Sequence, residues 1–413
     1  MGKILVVPID WRRLGTLNRL PLEAAAMTVI TSPGRVLGIV GGGQLGRMIG
    51  EAAAPLGVEV VVLDPTPDCP AFPVVRDQIV GGFDDADAVA SLADRADVLT
   101  YEIELADPAV LESVSNEYAV EVHPNPSTLE LIQDKYIQNE HLRSAGIPTP
   151  DYYPVDDVSD LERALESTGR PAMVKARRGG YDGRGTMPID ATTELETVID
   201  SIGGPAVVER FVDFTRELSV VGARGRTGTQ SFVVGENIHR EEILRETVVP
   251  ARTDPAIRER AQAVAATVLE SLDGYGTFGI ELFETESGEI LVNEIAPRPH
   301  NSGHWTIEGA PTSQFEQHVR AVMGMPLGAT EPISPTVSAN ILGDVAEPTS
   351  ARLAGVDAVL AEPHAHLHWY GKREVRPLRK MGHLTVVGND PDTDPATLLK
   401  TARTYRQRLH FES

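Results

Sequence analysis

Two periods of apolar residues run through the chain. Arg35-Val36-Leu37-Gly38-Ile39-Val40 is a nearly unbroken apolar run and reads as a buried strand. It is followed by Gly41-Gly42-Gly43-Gln44-Leu45-Gly46, a helix predicted from about Gln44 to Leu56, a stop at Gly57, and a second strand from Val58 to Leu63 ending at Asp64. Strands at 78–80, 98–101 and 120–123, with a helix at 86–93, extend this unit as α/β. Ile147-Pro148-Thr149-Pro150 has the composition of a domain boundary. A smaller unit follows, with a helix at 160–167, a strand from Ala172 to Lys175, a glycine-rich segment, a helix near 193–202 and a strand at 206–209. A hairpin is predicted around Gly225 to Gly228, a long helix from Ala256 to Ser271, and a further helix at 315–323. Pro332 and Pro335 open a mostly β unit with a short final helix. Residues 1–33 have no clear period and are expected to be a disordered extension, with Met27 a natural start.

The pattern is most informative at Phe278 to Phe283 and Glu289 to Ile295, two strands joined by the turn signal Ser287-Gly288. A two-residue turn there sets Glu281 opposite Glu294, and a loop two residues longer keeps both on one face. Like charges so placed destabilise a ladder. A divalent cation reverses that cost, and Mg²⁺ takes one or two carboxylates together with phosphate oxygens and water. The bland alternative is a solvated hairpin face. Directly after the second strand, Asn293-Glu294-Ile295-Ala296-Pro297-Arg298-Pro299-His300-Asn301-Ser302-Gly303-His304 packs a carboxylate, a guanidinium, two imidazoles, amides and a hydroxyl into one loop. Structural loops rarely carry so many polar groups, each of which must be satisfied.

Composition narrows the class. With 413 residues, 41% of them hydrophobic, the chain should form two or three domains. The single cysteine, Cys69, excludes an internal disulfide and fits a reducing cytoplasm. No apolar run is long enough to span a bilayer, and no h-region follows Arg12-Arg13. A net charge of −23 repels nucleic acid and anionic membranes. Any anion site must therefore be built from local positive charge. The acidic, lysine-poor composition also suits a salt-rich cytoplasm.

Two local anomalies answer that need. Lys175 ends a strand that leads into Arg177-Arg178-Gly179-Gly180-Tyr181-Asp182-Gly183-Arg184-Gly185-Thr186, whose backbone N–H groups and nearby lysine suit a phosphate cradle. It is no Walker A loop, because the lysine precedes the glycines. Lys372-Arg373-Glu374-Val375-Arg376-Pro377-Leu378-Arg379-Lys380 is a second basic cluster, either a protected edge strand or a seat for a phosphate monoester. The Gly41–Gly46 stretch matches the dinucleotide fingerprint, with Asp64 at the expected spacing. On its own that would suggest NAD, but the signal is weak.

Taken together, GGGQLGRM from Gly41, VKARRGGYDGRGT from Val174, Val208-Glu209-Arg210, RELSVVGARG from Arg216, NEIAPRPHNSGHW from Asn293, SQFEQHVRA from Ser313 and HLHWYGKREVRPLRKMGHL from His366 resemble the ATP-grasp ligases. Among these they resemble most closely the 5-(carboxyamino)imidazole ribonucleotide synthases of purine biosynthesis. The likeness spans about Arg35 to Gly388.

It implies an ATP-grasp fold, α/β and α+β in class. The implied units are a Rossmann-like domain at 34–130, an ATP-grasp domain at 131–330 with a lid at about 150–212, and a small β-rich domain at 331–413. The implied reaction takes ATP, bicarbonate and 5-aminoimidazole ribonucleotide to ADP, phosphate and the N-carboxylated ribonucleotide through carboxyphosphate. Mg²⁺, as two ions, would sit on Glu281 and Glu294. By the same likeness ATP would be held by Lys135, Lys175, Gly180, Tyr181, Asp182, Gly183, Arg184, Gly185, Thr186, Glu209, Arg210, Phe211, Val212, Glu217, His239, Asn293 and Glu294. Arg298 and His300 would take bicarbonate, with Asp182 as a general base. Tyr181, Asp182, Arg184, Asn301, Ser302, Lys372 and Arg379 would hold the ribonucleotide. A cytoplasmic homodimer that passes its product to a mutase is implied as well.

Two positions depart from the family pattern. Asn139 stands where lysine is usual and is expected to be peripheral, and Leu378 replaces a glycine before Arg379. Three alternatives fit less well. A formate-dependent glycinamide ribonucleotide transformylase would lack PRPHNSGHW together with the basic cluster. A dehydrogenase leaves Lys175, Glu281 and Glu294 without a role. A non-catalytic nucleotide-binding regulator would be expected to lack a metal carboxylate.

Overall fold

The computed structural model describes residues 30–32, 34–179 and 185–412. Residues 1–29, most of the expected extension, and the loop 180–184 lie outside them.

The first sheet is parallel, in the order β3-β2-β1-β4-β5, from β1 (Val36–Val40), β2 (Glu59–Asp64), β3 (Asp77–Val80), β4 (Val98–Tyr101) and β5 (Glu121–Val122). The chain order reverses between β1 and β4, which opens a crevice at their carboxyl ends. The helix Gln44–Ala53 follows β1 and packs Leu45, Met48 and Ile49 against the sheet. A 3₁₀ turn at Ala54–Leu56 prolongs it, and Gly57 ends it at φ +68°, a conformation glycine adopts without strain.

A four-stranded antiparallel sheet, order β6-β9-β7-β8, is formed by β6 (Tyr152–Val155), β7 (Ala172–Ala176), β8 (Thr186–Ile189) and β9 (Ala206–Arg210). Two helices, Val158–Thr168 and Leu195–Ile202, cover it and share a core of Leu161, Leu165, Val174, Val198 and Val208.

The largest sheet has nine strands. Its first six strands in chain order are β10 (Phe214–Gly225), β11 (Gly228–Ser231), β12 (Gly235–Arg240), β13 (Ile243–Val249), β14 (Gly276–Thr285) and β15 (Ile290–Ala296). Three strands after Pro335 continue this sheet: β16 (Thr336–Leu342) pairs with β13 and with Lys380–Val387, which in turn pairs with Ala365–Trp369. The final helix, expected to be short, runs from Pro395 to Arg408 and buries Leu398, Leu399 and Ala402 against this end of the sheet. The helix Pro255–Ser271 packs Ala261, Ala265, Val268 and Leu269 under β10 and the β14–β15 hairpin, so the site sits on a sheet with a filled core beneath it.

Candidate active site

The β14–β15 hairpin brings Glu281 opposite Glu294, though not by the expected turn. Near the tip Glu284 pairs with Ile290, and Thr285 accepts from Gly288 and donates to Glu289, so the loop holds three residues rather than two. Carried unchanged along the ladder, that register would pair Glu281 with Asn293 and turn Glu294 to the other face. A bulge between the Leu282–Val292 and Glu281–Glu294 pairs absorbs Asn293 and restores the alignment. Burial and the facing Glu294 then push the Glu281 carboxyl up to about 7. Glu294 goes the other way. Its side chain is half exposed, and Lys135, Lys175 and His300 outweigh the desolvation it suffers, so its pKa falls below the ordinary value.

The cations come from a helix and from the four-stranded sheet. Asp134 caps the helix Lys135–Ser144, accepting from the N–H groups of Tyr136 and Ile137, and so places Lys135 at its start, 3.5 Å from Glu294. Burial opposes the Lys135 charge, but Glu294 and Glu209 outweigh it and raise the pKa. Lys175, from β7, pairs with Glu209 of β9 at 2.7 Å and donates to Asn293 Oδ1 at 3.1 Å. Glu209 therefore turns its carboxylate to Lys175. Asn139, expected to be peripheral, is buried and donates to the other Glu209 oxygen at 3.1 Å. Arg177 and Arg178, read as part of the cradle's charge, both pair with the capping Asp134.

Beyond β15 the loop closes over the carboxylates. Arg298 forms a 2.7 Å ion pair with Glu104, and its own-loop contact is to the Pro299 carbonyl. Its Nε is buried and has no hydrogen-bond partner among the described residues. Glu294 is one of the carboxylates, after Glu104 and Glu102, that hold its charge in place against burial. His300 shares a 2.8 Å hydrogen bond with Ser302 Oγ and lies 3.7 Å from Glu281. Burial, Arg298 and Lys380 lower its pKa to about 3, which leaves the imidazole neutral. Ser302 and Asn301 are buried, and both polar atoms of the Asn301 amide lack partners among the described residues.

At the mouth of this region Arg210 pairs with Asp151, Phe211 is exposed and Val212 is buried. Glu217 and His239, on the adjacent strands β10 and β12, are in hydrogen-bond contact. Burial opposes the His239 charge, but Glu217 more than offsets it, and the pKa is raised. Gly185 accepts from Ala176, and Thr186 pairs with Lys175 across β7 and β8. Gly180, Tyr181, Asp182, Gly183 and Arg184 lie outside the described residues.

The second basic cluster docks on the first sheet's helix. Lys372 donates to Gln44 Oε1 and to the Lys380 carbonyl, each at 2.6 Å, and Arg373 pairs with Asp68 at 2.9 Å. Arg379 donates to the Glu374 carbonyl at 2.7 Å. Leu378 adopts φ +61°, the left-handed conformation that the family's glycine would take without strain. Its N–H donates to Gly343, whose own N–H donates to the Arg379 carbonyl, so the loop keeps its shape despite the leucine.

The glycine turn after β1 has its own occupants. Gly42 N–H donates to Asp64 and Gly43 N–H to Glu102, at 3.0 and 2.7 Å. A Cβ on Gly41 would lie 2.6 Å from the Glu102 side chain. The turn's donors are thus taken by carboxylates, which argues against a dinucleotide pyrophosphate there. Burial pushes Glu102 up to about 7, while the Gly43 N–H and Arg298 pull the other way. Sequence reading gave Glu102, Glu104 and Gln44 no role. The available signal was their position, at the carboxyl ends of β4 and β1 beside the switch point.

The chain matches three family profiles in order. They are the ribonucleotide synthetase preATP-grasp domain over 35–133, the ATP-grasp domain over 140–315, and the phosphoribosylaminoimidazole carboxylase C-terminal domain over 336–394. It is 43% identical to the N5-carboxyaminoimidazole ribonucleotide synthase of Brucella melitensis over 86% of this chain and 96% of that protein. The crystal structure of the Thermotoga maritima N5-carboxyaminoimidazole ribonucleotide synthetase superposes with a TM-score of 0.83 at 43% identity, covering 92% of this chain and 99% of that one. An Aspergillus clavatus N5-carboxyaminoimidazole synthase, solved in complex with ADP and 5-aminoimidazole ribonucleotide, gives 0.82 at 32% identity, covering 91% and 99%.

Proposed function

The chain belongs to the N5-carboxyaminoimidazole ribonucleotide synthases, ATP-dependent ligases of purine biosynthesis with the ATP-grasp fold, and we propose how its residues divide that work. ATP lies between the four-stranded and nine-stranded sheets, with Lys135 and Lys175 on its phosphates and Glu217 on the ribose. The adenine meets the backbone from Glu209 to Val212. Bicarbonate lies at Arg298 and His300. The ribonucleotide phosphate lies at Lys372 and Arg379, and Tyr181, Asp182, Arg184, Asn301 and Ser302 complete its site.

The observation that carries this reading is the meeting of Glu281 and Glu294 on one face, with Lys135 3.5 Å from one and His300 3.7 Å from the other. Among the described residues no three His, Cys, Asp or Glu side chains are grouped to hold a metal by themselves. The carboxylate pair nevertheless fits Mg²⁺, a hard cation content with two protein oxygens when phosphate supplies others. The raised Glu281 pKa reflects burial and then repulsion from Glu294, both of which a bound cation would relieve. Bound there, Mg²⁺ would neutralise phosphate charge.

The protein's own groups do the rest. Bicarbonate must approach a polyanion, and two unit charges 4 Å apart repel by roughly 4 kcal/mol at an effective dielectric of 20. Lys135, Lys175 and Arg298 offset that repulsion and align the bicarbonate oxygen with the terminal phosphorus. Phosphoryl transfer gives ADP and carboxyphosphate. The exocyclic amine of the ribonucleotide then attacks the carboxyl carbon, or the CO₂ released from it. Phosphate leaves, and the amine proton passes to Asp182. His300, neutral, orients bicarbonate by hydrogen bonding.

We further infer a homodimer in the cytoplasm whose product passes to a mutase. No described helix is long and apolar enough to cross a membrane. The test is ADP release measured with and without bicarbonate and 5-aminoimidazole ribonucleotide. Release that requires both supports the proposal. Release indifferent to both, or reduction of NAD, overturns it.

A further inference from the structure

The ammonium of Lys175 has three N–H bonds to place. One meets Glu209 Oε2 at 2.7 Å and a second meets Asn293 Oδ1 at 3.1 Å. Among the described residues no third acceptor reaches it, so one donor is left for a phosphate oxygen. That count depends on where Glu209 spends its other oxygen. Glu209 is 5% exposed, and a carboxylate at that depth needs a donor at each oxygen. The second donor is the side-chain amide of Asn139, itself 2% exposed, at 3.1 Å.

Asn139 stands four residues beyond Lys135 on the helix Lys135–Ser144, and so shares its face. One helix thus addresses both acids, Lys135 toward Glu294 and Asn139 toward Glu209. If the amide were lost, Glu209 Oε1 would be stranded, and the Lys175 ammonium is the donor already seated on the same carboxylate. A one-point contact would become a two-point contact and consume the N–H left for ATP. Being neutral, the amide satisfies Glu209 without weakening its hold on Lys175, as a second cation would.

We propose that Asn139 is a positioning residue for ATP: it occupies one oxygen of Glu209 and thereby keeps one Lys175 N–H free for a phosphate oxygen. This rests on the reading of Lys175 as a phosphate ligand. The loss of one charge-assisted contact corresponds to a change of about tenfold or more in ATP affinity.

The test measures KM for each substrate, and calorimetric binding of a non-hydrolysable ATP analogue, in Asn139→Leu, Asn139→Ala, Glu209→Gln, the Asn139→Leu/Glu209→Gln pair and Lys175→Ala. Leucine keeps the volume and removes the donor, and alanine covers the case in which leucine disturbs packing. Both are expected to raise the ATP KM and weaken analogue binding about tenfold, with the KM for bicarbonate and for the ribonucleotide within about twofold of the parent. In the Glu209→Gln background Asn139→Leu should add almost nothing, because no carboxylate remains to compete. A general structural defect would move all three KM values and would persist in that background. Parental ATP affinity in both Asn139 variants, with turnover lost in Lys175→Ala, overturns the role of Asn139 alone. Parental ATP kinetics in Lys175→Ala overturns that role and the reading beneath it.

Discussion

Glutamine at position 281 should make the metal-free protein more stable and the enzyme inactive. Burial and Glu294 raise the Glu281 pKa from 4.5 to about 7. The unfolded chain therefore releases this proton more readily than the folded one. The folded state is unpenalised below about pH 4.5, loses stability as pH rises through 7, and carries the whole cost above it. At 1.36 kcal/mol per unit, that cost is roughly 3 kcal/mol at pH 8. Glu281→Gln has no carboxylate to ionise, so with EDTA present it should exceed the parent by about that amount at pH 8 and match it near pH 4.5. Because a multidomain chain need not unfold in one step, the transition to follow is the one that Mg²⁺-ADP shifts in the parent. Saturating Mg²⁺-ADP at about 100 times its Kd should add about 2.7 kcal/mol to the parent and much less to the variant. ADP release should fall at least about a hundredfold. A variant less stable than the parent at pH 8 without metal, or one that gains as much from Mg²⁺-ADP, would refute the facing-carboxylate argument.

Leu378→Gly should raise stability by up to about 1 kcal/mol in thermal unfolding, since it removes a left-handed leucine that is 37% exposed and contributes little to a core. Glu104→Gln should raise the KM for bicarbonate several-fold in initial-rate assays while sparing that for ATP, because it removes the 2.7 Å ion pair that fixes the Arg298 guanidinium. The raised His239 pKa means that the His239–Glu217 pair is intact below about pH 6.5 and weakens as pH climbs through the folded value. ATP-analogue binding should therefore fall on the alkaline side in the parent and stay flat in His239→Gln. Asn139→Leu, as argued above, should weaken ATP binding without affecting the other two substrates.

The sheet and helix order of the first unit could be read from the chain because it is written in local patterns: apolar runs of strand length, an uninterrupted helical period, and glycines where the backbone turns. Lys135 entered by family resemblance alone, and Asp134, the capping acid just ahead of it, is a local signal of the same kind. Asn139 was misread because nothing in its immediate neighbourhood shows that its amide faces a glutamate from another sheet. Arg177 and Arg178 looked like phosphate ligands because charge is visible in sequence, whereas the partner that neutralises it, Asp134, is not.

By itself the sequence determined which residue types are available and which face of each strand or helix they share, since alternation along a strand and the turn of a helix are properties of neighbouring residues. It did not determine the register of the β14–β15 ladder. The three-residue loop would have separated Glu281 from Glu294, and only the bulge at Asn293, held in a sheet packed against the helix Pro255–Ser271, realigns them. Nor did it determine that Arg298 meets Glu104, or that Lys372 meets Gln44 from 328 residues away. Those encounters depend on how separately folded sheets dock, and docking follows from buried surface and complementary charge distributed over the whole chain rather than from any one stretch of it.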